Sequence, residues 1–242
     1  RSQQNASING TSTQYVLSSH NSVIYRQSIR TFSNVASPEP LYFETSRPYV
    51  ACSHIGNNFL RRYLDWSGLR PMTELEYEKA CRGPLPPIPN EYAWGSASLS
   101  SGATTYTLTS SNNDDESIAT GYSTGNANFT VSGGSVFTMG PFRVGIFAAH
   151  PSNVSRATAG ASYYGVMELS GNVAEKAVSL STSQGQAYMG QHGDGELGSS
   201  YLLGIDIIPR GGGCFNLPEV GQVSDRSGSA SVEGGRGVRT AP

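Results

Sequence analysis

The sequence predicts an α+β domain with little regular secondary structure. Residues 53–67 and 73–82 carry apolar residues at helical spacing, whereas other apolar residues fall in short β-prone pieces. Glycine occurs 29 times in 242 residues and is frequent from residue 163 onward. We therefore expect two helices, a few short strands and long loops whose backbone is held by turns and side-chain networks.

Composition is typical of a secreted protein with an uncharged polar surface. Charged residues make up 14% of the chain, the formal net charge is -2, and no basic run is present, which argues against a nucleic-acid partner. The length fits one domain with a single core. No apolar run reaches about 18 residues, so no membrane span is expected. Because the chain begins at Arg1, we expect a leader or another domain before it.

Residues 1–32 are predicted to form an N-terminal arm and β-hairpin, and residues 33–242 the single main domain. Residues 1–12 are mostly Ser, Gln, Asn, Gly and Thr, and are too polar to bury much surface. Short β-prone pieces follow between Gln14 and Phe32 and predict the hairpin. The alternative is that this segment pairs with a neighbouring subunit.

The first helix is predicted over residues 53–67. Ser53 is the expected N-cap, and Gly68 follows the end of the helix. Packing of one face on the core is expected from the apolar residues Ile55, Phe59 and Tyr63, with Leu60 and Leu64 beside them.

The second helix, over residues 73–82, has the stronger start signal. Thr73 can cap the first turn while Glu76 reaches back to it, which are the two halves of a capping box. Gly83 and Pro84 should end the helix. Its expected buried side consists of Leu75, Tyr77 and Ala80 or Cys81.

The middle of the chain predicts loops followed by one buried strand. Residues 95–140 form a tract rich in Ser, Thr, Asn and Gly, in which we expect long loops with a few short strands. The apolar run at residues 142–147 predicts a buried strand.

The most specific stretch is YYGVMELSGNVAEKAVSL, residues 163–180. It places Glu168 and Glu175 on either side of a small-residue turn at Gly171. A tight turn there can direct backbone carbonyls and both carboxylates at one point, an arrangement that suits calcium. The alternative is two solvated glutamates beside a turn.

Cysteine and sequon positions give weaker signals. Three cysteines allow at most one internal disulfide, and their spacing matches no zinc pattern. The pairing among Cys52, Cys81 and Cys214 is left open. Four sequons would accept glycans on a glycosylating secretory route, at Asn5, Asn9, Asn128 and Asn153.

Four motifs follow one another along the chain. They are RPMTELEYEKACRG at 70–83, YGVMELSGNVAE at 164–175, PRGGG at 209–213 and GRGVR at 235–239. Their order and spacing over residues 48–242 resemble the formylglycine-generating enzyme, or sulfatase-modifying factor, family. The first motif, residues 159–169 and HGDG at 192–195 are similar to secreted members from bacteria with a type IX export route.

The resemblance implies a fold related to the C-type lectins, with two helices, a small twisted antiparallel sheet and much glycine-rich loop. It also implies structural calcium at the hinge. Members use a side chain three residues before the glycine, the glycine carbonyl, the carbonyl two residues on, and the glutamate after that. The corresponding positions here are Glu168, Gly171, Val173 and Glu175.

The chain departs from the family where the enzymes oxidise cysteine. Members that convert a substrate cysteine to formylglycine hold cuprous copper with two nearby thiols after the RGG motif. Here Cys214 directly follows the glycines, and residues 215–242 contain no thiol. We therefore do not expect copper. Cys214 is expected to be a buried small hydrophobe, or half of a disulfide with Cys81 or Cys52.

These features predict a non-catalytic, secreted binding or assembly protein at a cell surface. Its expected partner is a protein or glycan ligand, or another copy of the chain. The loops at 96–140 and 181–203 would carry recognition. The alternative is an enzyme, either a divergent formylglycine-generating-type oxidoreductase acting on cysteine in a protein substrate, or a catalyst of another reaction on this fold.

Polar loop residues are expected to hold irregular backbone rather than to catalyse. An Asp–Arg pair at residues 225 and 226 would tie a loop to the sheet. Forked arginine donors would bind carbonyls and carboxylates, at Arg210, Arg236 and Arg239. His192, Asp194 and Glu196 could be ligands or an acid/base group, but a histidine on a glycine-rich loop is more often a hydrogen-bonding loop anchor, and that is the favoured interpretation.

Overall fold

The computed structural model describes residues 26, 29–32, 42–45, 47–111, 113–129, 140–196, 201–227 and 233–239. Over these ranges the chain is a mixed α+β structure with small sheets, which confirms the predicted α+β class, and it has three helices where two were predicted. The predicted arm at 1–12 lies outside the described residues, as does most of the predicted hairpin at 14–32.

The elements are short and are separated by long connections. The helices are α1 (Asn57–Trp66), α2 (Glu74–Arg82) and α3 (Ser183–Gln186), and one 3-10 turn spans Pro218–Gly221. The strands are β1 (Ile29–Phe32), β2 (Tyr42–Thr45), β3 (Arg70–Thr73), β4 (Thr107–Thr109), β5 (Ser117–Thr120), β6 (Ala174–Val178), β7 (Ile207–Arg210), β8 (Glu233–Gly234) and β9 (Gly237–Val238).

The central sheet is mixed, so the predicted antiparallel sheet is wrong in this respect. Its order is β7-β6-β3-β9, with β8 also paired to β6. Strand β6 runs antiparallel to β7 but parallel to β3 and β8. Parallel neighbours need long crossovers. Here α2 and about 90 further residues, which include β4 and β5, lie between β3 and β6. All five residues of β6 are buried, which makes it the centre of the sheet.

Two further antiparallel ladders lie apart from the central sheet. Strand β1 pairs with β2. Strand β1 belongs to the segment that was predicted to form a hairpin within residues 14–32, but its partner lies after residue 32. Strand β4 pairs with β5 inside the tract at 95–140, as the expectation of loops with short strands requires.

The prediction for α2 is confirmed at both ends. Thr73 accepts from the backbone N–H of Glu76, whose carboxylate accepts from Thr73 N at 2.8 Å, and Gly83 ends the helix at φ +64°. The predicted buried side is only partly correct. Tyr77 and Cys81 are buried, but Leu75 is 61% exposed.

Helix α1 begins later than predicted and buries a narrower face. Its N-cap is Gly56, and Ser53 instead lies within hydrogen-bond distance of the His54 ring. Leu60 and Leu64 are buried, as expected. Phe59 and Tyr63 were predicted to lie in the core but are more than half exposed. Periodicity identifies a stripe of residues, but it does not say how much of the stripe is covered.

The apolar run at 142–147 is a series of turns rather than the predicted strand. A single antiparallel bridge joins Arg143 to Val50. Phe142, Ile146 and Phe147 are nevertheless buried in an aromatic-rich core cluster. The residues are therefore in the core as expected, although their backbone is not extended.

The cysteines and the described sequons have clear positions. No disulfide joins Cys52, Cys81 and Cys214, and the last two are fully buried. Asn128 is fully buried and donates to Gly140 O, so it is inaccessible to glycosylation in the folded chain. Asn153 is partly buried and donates to Ala148 O. Asn5 and Asn9 lie outside the described residues.

A buried ion network joins α2 to β7 and to the loop after the 3-10 turn. Arg210 is fully buried and donates to Glu74 at 2.5 Å, to Glu78 at 3.3 Å and to Val223 O at 2.5 Å. Arg226 pairs with the same two glutamates from the surface, so the predicted Asp–Arg pair is wrong. Burial acts to raise the pKa of Glu74, but the Leu180 N–H and Arg210 hold it below its usual value.

Replacing Arg210 by Met should lower the free energy of unfolding by about 3–5 kcal/mol, because Glu74 would keep a buried charge with a weaker partner. Arg226→Met is the matched control, since that side chain is 48% exposed and binds the same carboxylates. It should cost only about 0–1 kcal/mol. Urea unfolding of both variants measures the difference, and equal losses would contradict the assignment of Arg210 as the internal anchor.

Candidate ligand site

The predicted hinge is a tight turn with an unusual backbone. Glu168, Gly171 and Asn172 have φ values of +62°, +81° and +66°, in the left-handed region that L side chains rarely adopt. A side chain at Gly171 would meet the backbone of Asn128. Glycine is therefore required there, and the two non-glycine residues must be held by their surroundings.

The Glu168 carboxylate is fixed by two neutral donors. Gly145 N donates to Oε1 at 2.7 Å and Asn172 Nδ2 donates to Oε2 at 3.0 Å. Burial raises the pKa of Glu168 to about 7, although both hydrogen bonds and the charge of Arg236 oppose the increase. The side chain is 7% exposed, so the alternative of a solvated glutamate is wrong for this residue.

The Glu175 carboxylate is equally buried but has a cationic partner. Arg236 Nε donates to Glu175 Oε1 at 2.5 Å, and Arg236 Nη2 donates to Met167 O at 3.1 Å. Burial raises the pKa of Glu175, and Arg236 opposes that change. Arg236 thus acts as the forked donor that the sequence predicted. The pair joins β6 to the turn between β8 and β9.

The other two predicted ligands contribute backbone at the same place. Gly171 N donates to Gly211 O at 2.8 Å, which holds the hinge against the glycine run after β7. Val173 is buried in a small cluster with Cys214. The four predicted positions thus span the hinge and the start of β6, where Arg236 pairs with Glu175 and its charge also acts on Glu168.

A cavity of about 600 Å³ opens between this hinge and α1, and we call it the α1 cavity. Its volume is within the range of small-molecule sites. Its polar floor consists of Glu168, Asn172, Glu175 and Arg236. Its walls are mainly apolar and include Ile55, Phe59, Leu60, Tyr63, Val144 and Val173. Cys52 also lines it and is the exposed cysteine of the chain.

A second cavity, the loop cavity, lies at the far end of α1. It has a volume of about 380 Å³ and is lined by Trp66, His192, Asp194 and Arg239. Asp194 accepts from Glu196 N at 2.8 Å, a hydrogen bond within the loop itself.

An aromatic strip, formed by Phe59, Tyr63 and Trp66, joins the two cavities. Their spacing of four and three residues puts the rings on one face of α1, where they are 55%, 53% and 57% exposed. The rings of Tyr63 and Trp66 lie 6.2 Å apart. The apolar periodicity predicted Phe59 and Tyr63 in the core. A buried stripe and an exposed stripe have the same periodicity, so the pattern alone could not distinguish them.

No helix in the described part of the chain is long and apolar enough to cross a membrane. Comparisons with known proteins found no matching family model, curated protein or solved structure. The resemblance to the formylglycine-generating enzyme family therefore rests on the four motifs and stays a prediction.

Glu168→Gln should flatten the pH dependence of stability between about pH 4.5 and 7. In this window the folded chain keeps a proton on Glu168 that the unfolded chain has released, so wild-type stability falls as pH rises. The loss is on the order of 2–4 kcal/mol, complete near pH 7. Urea unfolding in chelating buffer measures it. Exposed Glu219→Gln is the control, and parallel wild-type and Glu168→Gln curves would contradict the assignment.

Proposed function

We propose that this chain is a non-catalytic extracellular protein that binds a ligand or assembles at a cell surface, on a scaffold like that of the formylglycine-generating enzymes. The partner is a protein or glycan, or another copy of the chain. The observation that carries the proposal is the continuous face made by the α1 cavity, the aromatic strip and the loop cavity.

The exposed rings favour recognition as the role of this face. Aromatic side chains supply large contact areas with little loss of conformational entropy, and they are enriched where proteins bind partners. Phe59, Tyr63 and Trp66 form a contiguous set rather than scattered surface residues. The described part of the loop at 181–203, which was predicted to carry recognition, lines the loop cavity at one end of the strip.

Thiol chemistry supports a non-catalytic role. The oxidase reaction of the family needs two thiolates on one copper ion. Burial raises the pKa of Cys81 to about 12 and raises that of Cys214 further above its usual value, which disfavours thiolate at both. Cys52 is exposed on the α1 cavity, whereas Cys214 is buried in the cluster behind Val173.

Structural calcium at Glu168, Gly171, Val173 and Glu175 remains part of the proposal. Two carboxylates and two backbone carbonyls are the hard oxygen donors that calcium prefers. The ion would tie the left-handed turn to the first residues of β6. Its competitor is Arg236, which already neutralises Glu175.

Replacing the strip tests the recognition surface. A Phe59→Ser, Tyr63→Ser, Trp66→Ser variant should bind cells of the source organism at least about tenfold more weakly, since buried aromatic anchors dominate interface energies. Val154→Ser with Leu85→Ser, which also changes exposed apolar side chains, should bind normally. Protease-treated and glycosidase-treated cells separate protein from glycan, and sedimentation detects self-association. Equal binding by both variants, with equal sedimentation, would overturn the proposal.

The oxidase alternative has a direct assay. The chain loaded with cuprous copper should leave a cysteine peptide unchanged under oxygen, because Cys214 has no neighbouring thiol in the sequence after it. Mass spectrometry of the peptide detects formylglycine. Turnover that is lost in Cys214→Ser would replace the binding proposal by the oxidoreductase.

Calcium at about 100 times its dissociation constant should stabilise the chain by about 2.7 kcal/mol relative to chelating buffer. Glu175→Ala should abolish that increment. A lower melting temperature in this variant is not diagnostic by itself, because Arg236 loses its partner. Arg236→Gln, which frees the carboxylate, should keep or enlarge the increment. Thermal melts unaffected by calcium in both wild type and Arg236→Gln would refute the site.

A further inference from the structure

Glu168 differs from the other buried glutamates in its partners. Five glutamates are buried in the described part of the chain. Four of them pair with an arginine, as Glu74–Arg210, Glu91–Arg82, Glu116–Arg26 and Glu175–Arg236. Among the described residues, no cationic side chain lies within ion-pair distance of the Glu168 carboxylate, which receives only a backbone N–H and an amide. Glu168 is therefore the one glutamate of this set without a directly bonded arginine, and Arg236, which pairs with Glu175, is the cation whose charge acts on it.

That carboxylate lines the floor of the α1 cavity. An ionised carboxylate offers about four acceptor positions, and the donors Gly145 N and Asn172 Nδ2 use two of them. The neighbouring pair of Glu175 and Arg236 is electrically neutral. When Glu168 is ionised, the floor therefore carries one net negative charge and has free acceptor capacity.

The walls of the α1 cavity indicate what the uncharged part of a ligand should be. Ile55, Leu60 and Val144 offer aliphatic contacts, and Phe59 and Tyr63 offer ring faces. Apolar walls favour an apolar body, and aromatic rings near a cation add a further attraction. A ligand carboxylate would meet two buried glutamates, and a neutral ligand would leave Glu168 without a counter-charge.

We propose that the α1 cavity binds a small organic ligand with a primary ammonium group on an apolar body about the size of one aromatic ring, the ammonium donating to Glu168. This inference rests on the proposed binding function and names the ligand class for its cavity. Calcium at the hinge would use the same carboxylate, so calcium and the ammonium are competing occupants.

Cys52 provides a native reporter for occupancy. It lines the same cavity, whereas Cys81 and Cys214 are fully buried, so a thiol reagent should label Cys52 selectively in the folded chain. The test compounds are phenethylamine, phenethyl alcohol and phenylacetate, which share one body and differ in charge. In chelating buffer, phenethylamine should slow Cys52 alkylation several-fold, with titration calorimetry reporting the same affinity, and the other two compounds should not.

Variants separate charge recognition from simple filling of the cavity. Glu168→Gln should weaken phenethylamine binding by about tenfold or more, the effect of losing one charge-assisted hydrogen bond. Exposed Glu219→Gln should bind as the wild type does. If Glu168→Gln does not fold, the contrast among the three compounds on the wild-type chain still decides, because it needs no substitution.

Four results overturn the ammonium assignment. They are protection by the alcohol equal to that by the amine, protection by phenylacetate, protection by calcium without any by phenethylamine, and no protection by any of them. The binding function is tested separately by the aromatic strip variant on cells. If the chain binds cells but does not bind phenethylamine, the ligand class alone is refuted. If it binds neither cells nor phenethylamine, the proposed binding function is refuted as well.

Discussion

The structure depends on one ion network, which is built around the fully buried guanidinium of Arg210. A charge without solvent needs partners, and the two terminal nitrogens of Arg210 find them in Glu74 and Glu78 of α2 and in Val223 O of the loop, although its buried Nε has none among the described residues. The ring of Tyr77 lies 5.2 Å below it. None of these elements is long enough to be stable alone, so the cation gains these partners only when all of them are docked together.

The same residue sets the position of the ligand site. Arg210 is the ladder partner of Glu175 across β7 and β6. A slip of one residue would turn Glu175 away from the floor of the α1 cavity. The next residue, Gly211, accepts from Gly171 N and so fixes the left-handed turn. The internal network and the hinge are therefore consecutive parts of one arrangement, and the strained backbone at Glu168 is held by it.

The sequence was most informative where the deciding contacts are local. The capping box predicted α2 because Thr73 and Glu76 lie three residues apart, and the turn at Gly171 was evident from its small residues. The partners of the carboxylates could not be found this way. Arg210 and Glu74 are 136 residues apart, and Arg236 and Glu175 are 61 apart, so only the folded chain brings them together. The prediction that Phe59 and Tyr63 are buried was wrong for a related reason. Periodicity carries no information on what covers a helix.

This distribution of interactions explains how the fold can be stable with an open cavity that is lined by Glu168, a carboxylate without an ion-pair partner among the described residues. The Arg210–Glu74 ion pair and the aromatic core cluster share no residue with the lining of the α1 cavity. Near the cavity the chain approaches closely at glycines, since a side chain at Gly235 would overlap Leu60 and one at Gly234 would meet Val173. The frame is thus closely packed, while Phe59 and Tyr63 of α1 stay more than half exposed. Rings that add little to folding, beside a fixed buried charge, are the arrangement expected of a preorganised binding site rather than of a packing defect.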